Sequence, residues 1–326
     1  MKALTLLSGG LDSILATKLV LDQGIELVAI TFVLPFAAEK VDYASKIAER
    51  LNITHLKVEV GTDYFQVIRN PKHGYGSGMN PCIDCRIYML RKTKRIADEL
   101  DAKFIVTGDV LGERPMSQHR NALALEAREA RLEGLILRPL SAKLLPVTIP
   151  EREGWIDRDK LLGISGKSRK PQIALAEQYG LQDEYPAPAG GCLLTYKEFA
   201  AKVRDLFEHV ESVTNRDIQL LKLGRHFRFR ASKIIVGRNE RENSLLLALK
   251  SPNAYAFEVP GCGSPITILE GVRDSPTIKL AAQLTARYSD TRSDPVVVEY
   301  WRESEGPRMR ITVSPLEAGE VNRLRI

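Results

Sequence analysis

Residues 4–13 constrain this chain more than any other stretch. The apolar run Leu4–Leu7 leads directly into Ser8-Gly9-Gly10-Leu11-Asp12-Ser13, and an amphipathic segment from Ile14 to Leu21 follows at once. A strand, a Ser-Gly-Gly turn and a helix in immediate succession build a cradle for an anion. Glycine lets the backbone approach the ligand closely, and the first helical turn presents unpaired N–H groups and the positive end of the helix dipole. Ser8, Asp12 and Ser13 add hydroxyls and a carboxylate suited to phosphate oxygens or a magnesium ion. The Lys of a Walker loop and the three-glycine spacing of a dinucleotide fold are both missing. A capped strand–turn–helix without a ligand would explain a bare Gly-Gly pair but not the full six-residue string.

The pattern around the cradle predicts strands at Ala3–Leu7, Leu27–Phe32, His55–Val60 and Phe104–Thr107, each short and apolar enough to be buried in a sheet. Helices are expected between them at Asp12–Asp22, Ala38–Leu51 and Cys85–Leu100. Strands alternating with helices indicate an α/β fold with a parallel sheet. Ligands in such sheets sit beyond the carboxyl ends of the strands. Ser8, Thr31 and Thr107-Gly108-Asp109 all fall at such ends and should converge on one crevice.

A further strand is expected at Leu135–Leu137, followed by Arg138-Pro139-Leu140, and a basic stretch, Gly163 to Lys170, precedes a helix at Gln172–Tyr179. Lys167, Arg169 and Lys170 in that stretch are either phosphate or RNA contacts or a solvated loop. Tyr185 to Cys192 is too rich in Pro and Gly for regular structure. Phe199–Val210 reads as a helix. From about Asp217 the pattern turns to short β-like runs at Ser232–Val236, Tyr255–Val259, Ile266–Leu269 and Val296–Trp301, with a helical run at Pro276–Arg287, which indicates a separate, smaller α+β domain. The expected division is residues 1–160 as the nucleotide-binding catalytic domain, 161–214 as a linker with a catalytic cysteine, and 215–326 as the α+β domain.

Charge separates the two ends. Residues 215–326 hold 18 Lys and Arg against 13 Asp and Glu, which accounts for +5 of the chain's net +6. A polyanionic partner is expected there; a solvated basic surface is the plainer reading. No apolar run is long enough to span a membrane. The opening Met1-Lys2 and strand pattern is unlike a secretory leader, so a cytoplasmic location is expected.

In that setting four cysteines point to metal or redox chemistry rather than to disulfides. Pro81-Cys82-Ile83-Asp84-Cys85 places two thiols just before a helix, a spacing that lets both grip one metal or cluster, and the helix N-terminus should lower their pKa. Half a zinc site, a redox dithiol and two inert buried thiols fit the same spacing. Cys192, behind Gly190-Gly191 in an irregular loop, adds a third thiol where a substrate or cofactor has room to approach. Three cysteines without a fourth suit an iron–sulfur cluster with one open iron. A structural zinc site would want a fourth ligand, for which Cys262 in Pro260-Gly261-Cys262-Gly263 is the nearest candidate, although it lies in the other domain.

These motifs name a family. Ser8–Ser13 resembles the signature of the PP-loop ATP pyrophosphatases, whose members adenylate a carbonyl oxygen with ATP and release pyrophosphate. Together with Pro81–Cys85 and Gly191-Cys192 it resembles the tRNA thiolases of that superfamily. The cysteines are similar to those of the tRNA-specific 2-thiouridylases. Thr107-Gly108-Asp109-Val110-Leu111-Gly112, with Ser117-Gln118 and Leu137-Arg138-Pro139-Leu140, looks more like the tRNA 4-thiouridine synthases. The resemblance spans roughly residues 1–195 and implies an adenine nucleotide alpha hydrolase-like fold. Typical 4-thiouridine synthases differ in carrying an RNA-binding module ahead of the PP-loop domain. Residues from about Gly224 onward resemble the NFACT-type RNA-binding domain, chiefly at Lys233-Ile234-Ile235-Val236-Gly237-Arg238-Asn239 and Asn243.

The resemblance implies ATP-dependent thiolation of a tRNA uridine. ATP with Mg²⁺ would bind over Ser8, Gly9, Gly10, Leu11, Asp12 and Ser13, with adenosine near Thr31, Thr107 and Gly108. Asp12, Cys85 and Cys192 would be catalytic. In one route Cys82, Cys85 and Cys192 hold a [4Fe-4S] cluster whose fourth iron binds hydrosulfide. In the other Cys192 carries a persulfide that Cys85 resolves. The partners implied are tRNA, touched by Arg225, Arg228, Arg230, Lys233 and Arg238, and a sulfur donor, either hydrosulfide or a persulfide-bearing protein. A PP-loop ligase or sulfurtransferase acting on a small molecule, and a non-catalytic RNA-binding protein with a decayed nucleotide site, are the rival classes.

Overall fold

Strand β1 (Lys2–Leu6) sits at the centre of a parallel sheet because every residue after Lys2 in it is buried, as an interior strand covered on both faces requires. The computed structural model describes residues 1–38, 42–187, 191–303 and 306–326. By its internal contacts the chain forms two units, Met1–Thr195 and Tyr196–Ile326. Among the described residues no helix is long and apolar enough to cross a membrane.

The first unit runs β1, α1 (Leu11–Leu21), β2 (Glu26–Val33), α2 (Tyr43–Arg50), β3 (Thr54–Glu59), α3 (Asp63–Arg69), α4 (Cys82–Glu99), β4 (Ile105–Thr107), α5 (Arg120–Glu129), β5 (Ile136–Leu137), α6 (Ile149–Arg152) and α7 (Lys170–Gln178). Its strands pair in the order β3-β2-β1-β4-β5, and each of the four neighbouring pairs is parallel. Apolar clusters fill both faces of the sheet. One joins α1 and α2 to Leu7, Phe104 and Val106, and the other joins α4 to Leu4, Ile30 and Ile105. Helix α1 is buried at eight of its eleven positions, which is why its sequence is apolar at seven of the eleven and carries only Asp12 and Lys18 as charges. The order reverses direction between β1 and β4, and open parallel sheets bind their ligands beyond the carboxyl ends of the strands at such a point.

The second unit comprises α8 (Lys197–His209), α9 (Asn215–Leu221), β6 (Arg225–Phe229), β7 (Ser232–Val236), α10 (Glu240–Leu249), β8 (Tyr255–Glu258), β9 (Thr267–Glu270), α11 (Ser275–Arg287), β10 (Val296–Trp301), β11 (Met309–Val313) and α12 (Ala318–Leu324). Its sheet has the order β11-β10-β8-β9-β7-β6 with antiparallel neighbours throughout. Phe227, Phe257, Val298 and the apolar face of α11 form one core, and Leu220, Ile235, Leu246 and Trp301 form another. A parallel α/β unit followed by a smaller α+β unit is the fold class that the sequence pattern implied.

Several boundaries differ from expectation. The helix expected at Ala38–Leu51 starts at Tyr43, because Asp42 caps it by accepting the Ser45 N–H at 3.0 Å; residues 39–41 of that expectation lie outside the described residues. The helix expected from Cys85 begins at Cys82, so both cysteines stand on its first turn rather than ahead of it. Helices α3, α5, α6, α9, α10 and α12 and strands β6 and β11 were not expected. In β6 the alternation of Arg225, His226, Phe227, Arg228 and Phe229 hides a strand behind a basic composition.

Candidate active site

The Ser8–Ser13 turn is tight and leads straight into the first turn of α1. Gly9 stands at φ +74°, where a Cβ would also lie 2.9 Å from the Ala44 backbone nitrogen, so only glycine fits. The Ser13 hydroxyl donates to the Gly10 carbonyl at 2.8 Å and accepts the Ser8 N–H at 3.2 Å, which closes the turn on itself. The first intrahelical bond runs from the Ile14 N–H to the Gly10 carbonyl, which leaves the Leu11, Asp12 and Ser13 N–H groups at the unpaired end of α1. The Leu11 side chain itself is buried in the core beneath. Ser8 is exposed at the mouth.

Asp12 is the polar centre of the cradle. Burial pushes its carboxyl above the usual range, while Arg169, Gln172 and Arg114 act in the opposite sense. Its Oδ1, both amide atoms of Gln172 and the Arg169 Nε are buried without a hydrogen-bond partner among the described residues. Orphaned buried polar atoms around one carboxylate, in a turn where a Cβ would not fit, are what a nucleotide phosphate with Mg²⁺ would satisfy. Gln172 comes from α7, and nothing in the sequence pattern singled it out. Of the neighbouring basic residues, Arg169 is half-buried at Asp12 whereas Lys167 and Lys170 are exposed.

The ends of β2 and β4 close on this turn. The Thr31 hydroxyl donates to the Leu7 carbonyl and meets His55 Nε2 at 2.8 Å, so it ties β2 and β3 to the entry of the cradle. Burial pushes the His55 imidazole below its usual range. Gly108 packs directly on the first turn of α1, where a Cβ would lie 2.5 Å from the Ser13 nitrogen. The Thr107 hydroxyl donates to Asp109 Oδ2 at 2.7 Å. Asp109 is buried, and burial alone would raise its carboxyl, but the Arg86 and Arg138 guanidinium groups outweigh this and hold it well below the usual range. The fourth member of that network is Glu126, whose Oε1 has no partner among the described residues and whose pKa is raised to about 8, chiefly by burial and then by Asp109. The expected Thr107–Gly112 and Leu137–Leu140 motifs meet here, at Asp109.

The three cysteines of the first unit are brought into one neighbourhood. Cys82 and Cys85 share a face of the first turn of α4, three residues apart. Cys192 is strapped against them by backbone bonds. The Leu193 N–H donates to the Phe36 carbonyl at 2.9 Å, the Ala38 N–H to the Gly191 carbonyl at 3.2 Å, and the Met79 N–H to the Leu194 carbonyl at 2.9 Å. Ala37 and Cys192 form an antiparallel bridge. Gly190, expected to flank this thiol, lies outside the described residues.

All three thiols are pushed up by burial, Cys85 to about 12, and the charges of Cys82 and Cys192 raise Cys85 further. The expected lowering by the helix N-terminus is therefore overturned, since desolvation of a thiolate outweighs a helix dipole. The Tyr64 hydroxyl lies 3.1 Å from Cys85 Sγ. Among the described residues no three His, Cys, Asp or Glu side chains are set to grip a single metal ion. Cys262 is exposed in the second unit.

The basic residues named in the second unit are largely paired. Arg228 binds Asp205 through two bonds of 2.7 and 2.6 Å, and Lys233 reaches the same carboxylate at 3.3 Å. Arg238 donates to Glu242 from Nε at 2.9 Å. Arg225 lies over the Tyr288 ring at 4.5 Å. Arg230 is the most exposed of the five, 65 % by its side chain, with Asp274 at 3.4 Å.

Comparison with known proteins gives two family matches. Residues 1–143 match the model described as thiamine biosynthesis protein (ThiI), and residues 224–325 match that of the NFACT protein RNA binding domain. A tRNA-specific 2-thiouridylase MnmA of Xanthobacter autotrophicus is 27% identical over 241 residues, covering 68% of this chain and 58% of the relative. A probable tRNA sulfurtransferase of Ureaplasma parvum is 30% identical over 146 residues, 43% of this chain and 37% of the relative. The chain thus spans little more than half of the first relative and about a third of the second. Among solved structures, a 4-thiouridine synthetase–RNA complex with bound ATP aligns with a TM-score of 0.39 at 21% identity, over 68% of this chain and 52% of that one. Both parts of the resemblance drawn from the motifs, at the nucleotide end and at the C-terminal domain, are met by these matches.

Proposed function

We propose that this chain, which joins a ThiI-type PP-loop domain to an NFACT-type RNA-binding domain, is an ATP-dependent tRNA uridine sulfurtransferase. The observation that carries the reading is the meeting, within one unit, of a phosphate cradle centred on a carboxylate with one oxygen unpartnered among the described residues and three mutually interacting thiols. A ligase acting on a small molecule has no use for the second domain, and a decayed nucleotide site would not keep Gly9, Asp12 and Gly108 in their fitted places.

In this reading the phosphates of ATP lie over Ser8–Ser13, held by the Leu11, Asp12 and Ser13 N–H groups, with adenosine toward Thr31 and Thr107-Gly108. Asp12 and the Ser8 hydroxyl would hold Mg²⁺, which supplies charge neutralisation at the phosphates. The uracil carbonyl oxygen attacks the α-phosphorus; an O–P bond forms and the bond to pyrophosphate breaks. The N–H groups of the cradle face the charge that develops there and are already oriented. Sulfur then adds at the ring carbon, and AMP departs with the former carbonyl oxygen and its electron pair.

Cys82, Cys85 and Cys192 would hold a [4Fe-4S] cluster, which supplies an open iron for hydrosulfide. The thiol chemistry supports this over a persulfide route. With burial holding Cys85 near 12, little free thiolate is present at neutral pH to resolve a persulfide, whereas metal binding deprotonates a thiol outright.

The test is pyrophosphate release by the purified full chain. Addition of tRNA stimulates release, and Asp12→Ala abolishes it; no stimulation by any tRNA contradicts the reading. The rival small-molecule class would release pyrophosphate without RNA.

A further inference from the structure

The loop that follows β4 joins the nucleotide end of the crevice to its sulfur end, and one exposed side chain on it belongs to neither end so far. Gly108 seats the start of this loop on the first turn of α1. Leu111 bridges to Ser165, and its carbonyl accepts the Gly166 N–H at 2.8 Å, which ties the loop to the segment leading into α7. Met116 packs on Gly76, so closely that a Cβ there would lie 2.7 Å from its sulfur, which ties the loop to the approach to α4. Arg114 stands between these anchors.

Its backbone is fixed on both sides by the buried Gln118. The Arg114 N–H donates to the Gln118 side-chain oxygen at 3.0 Å, and the Gln118 N–H donates to the Arg114 carbonyl at 3.0 Å. The side chain is exposed, and among the described residues no hydrogen bond or ion pair engages the guanidinium. Its charge nevertheless acts on Asp12 and Glu113 at one end and on Cys82 and Cys192 at the other. Across Asp12 lie the unpartnered Arg169 Nε and the fully buried amide of Gln172. A guanidinium on an anchored backbone, unengaged among the described residues and acting on both a phosphate cradle and a set of thiols, is suited to one kind of group: a phosphate that must be held while its neighbouring bond is exchanged.

We propose that Arg114 is a catalytic residue that binds the α-phosphate of the adenine nucleotide and holds it as sulfur displaces AMP. The second clause rests on the adenylation reading above; the first does not. As the C–O bond to the adenylate breaks, the oxygen and electron pair leave with AMP, and the phosphate gains negative charge beside Arg114. The guanidinium keeps its protons throughout and acts by charge and hydrogen bonding alone.

The experiment compares the wild-type full chain with Arg114→Gln and Arg114→Lys, using AMP and adenosine as probes in equilibrium binding and tRNA thiolation as the activity. Arg114→Gln weakens AMP about tenfold, the value of one lost charge-assisted bond, and leaves adenosine within about twofold. Arg114→Lys recovers part of the loss. In thiolation, kcat of the Gln variant falls about a hundredfold. Equal losses for AMP and adenosine, or no AMP binding by the wild type, overturn the phosphate contact. A wild-type kcat in the Gln variant overturns the catalytic role. If the wild type releases no pyrophosphate with tRNA, the adenylation reading fails, and the AMP–adenosine comparison still decides the phosphate contact.

Discussion

The Tyr64 hydroxyl lies 3.1 Å from Cys85 Sγ, within an aromatic group in which the Tyr64 ring centroid is 5.2 Å from Tyr88 and 6.4 Å from Phe36. Helix α3 thus supplies a polar contact to a thiol that burial otherwise holds in its neutral form. The same aromatic group underlies Phe36, whose carbonyl anchors the Cys192 strap. Tyr64→Phe keeps the packing and removes the hydrogen bond between the Tyr64 hydroxyl and Cys85 Sγ, a loss of about 1 kcal/mol. Thiolation is expected to fall about fivefold, with ATP affinity within about twofold of wild type, as read by steady-state kinetics and equilibrium binding.

Gly108→Ala tests the joint between β4 and the cradle. The added methyl would sit 2.5 Å from the Ser13 nitrogen and 2.6 Å from the Asp12 carbonyl carbon, both backbone atoms that have no room to yield. Overpacking of this kind costs about 1–3 kcal/mol. Urea denaturation should show that loss, and ATP binding should weaken by more than the stability change explains, because the shift falls on Asp12 itself.

Strands β1, β2 and β4, helix α1 and the cradle were legible in the sequence because each is a short local pattern: an apolar run, a period of 3.6, a Gly-Gly turn. What was not legible is what meets only in space. Gln172, Arg114, Tyr64 and Glu126 come from four separate segments, and nothing at their own positions marks them. The cysteines were legible as three thiols, but the strap from Phe36 to Ala38 that seats Cys192 involves no motif. The expected acidity of the cysteines failed for a related reason. A helix N-terminus can be read from sequence, whereas the burial that overrides it is a property of the packed chain. The same holds for Arg228 and Lys233, which read as a basic patch until Asp205 of α8 is placed beside them.

Glu126 should give stability a pH dependence of unusual sign. Its folded pKa is raised from 4.5 to about 8, so between those values the folded chain holds a proton that the unfolded chain has released. Stability from this group is complete below about pH 4.5 and is lost as pH rises through about 8. Glu126→Gln cannot ionise and removes that slope. Urea midpoints at pH 5, 6.5 and 8 should show the variant gaining on wild type with each step, on the order of 3 kcal/mol in all. A constant difference across the series would contradict the assignment.

In the second unit, Arg230 and Arg228 should separate cleanly. Arg230 is exposed, so Arg230→Ala is expected to weaken tRNA binding for all sequences alike and to lower the slope of log affinity against log salt by about 1. Arg228 is committed to Asp205, so Arg228→Ala removes the two-bond partner of a buried carboxylate, leaving Lys233 at 3.3 Å and His209 at 3.6 Å, and is expected to cost about 2 kcal/mol of stability. Salt-dependent binding and denaturant unfolding of both variants check the two outcomes.

The central claim is that the Asp12 cradle and the three thiols of the first unit act together on a uridine of tRNA. Nucleoside mass spectrometry on tRNA from cells lacking this chain, alongside cells restored with wild type, Asp12→Ala or Cys192→Ser, measures it most directly. The account predicts that one thiolated uridine disappears, returns with wild type, and returns with neither variant. Unchanged levels of every thiouridine in the deletion would contradict it.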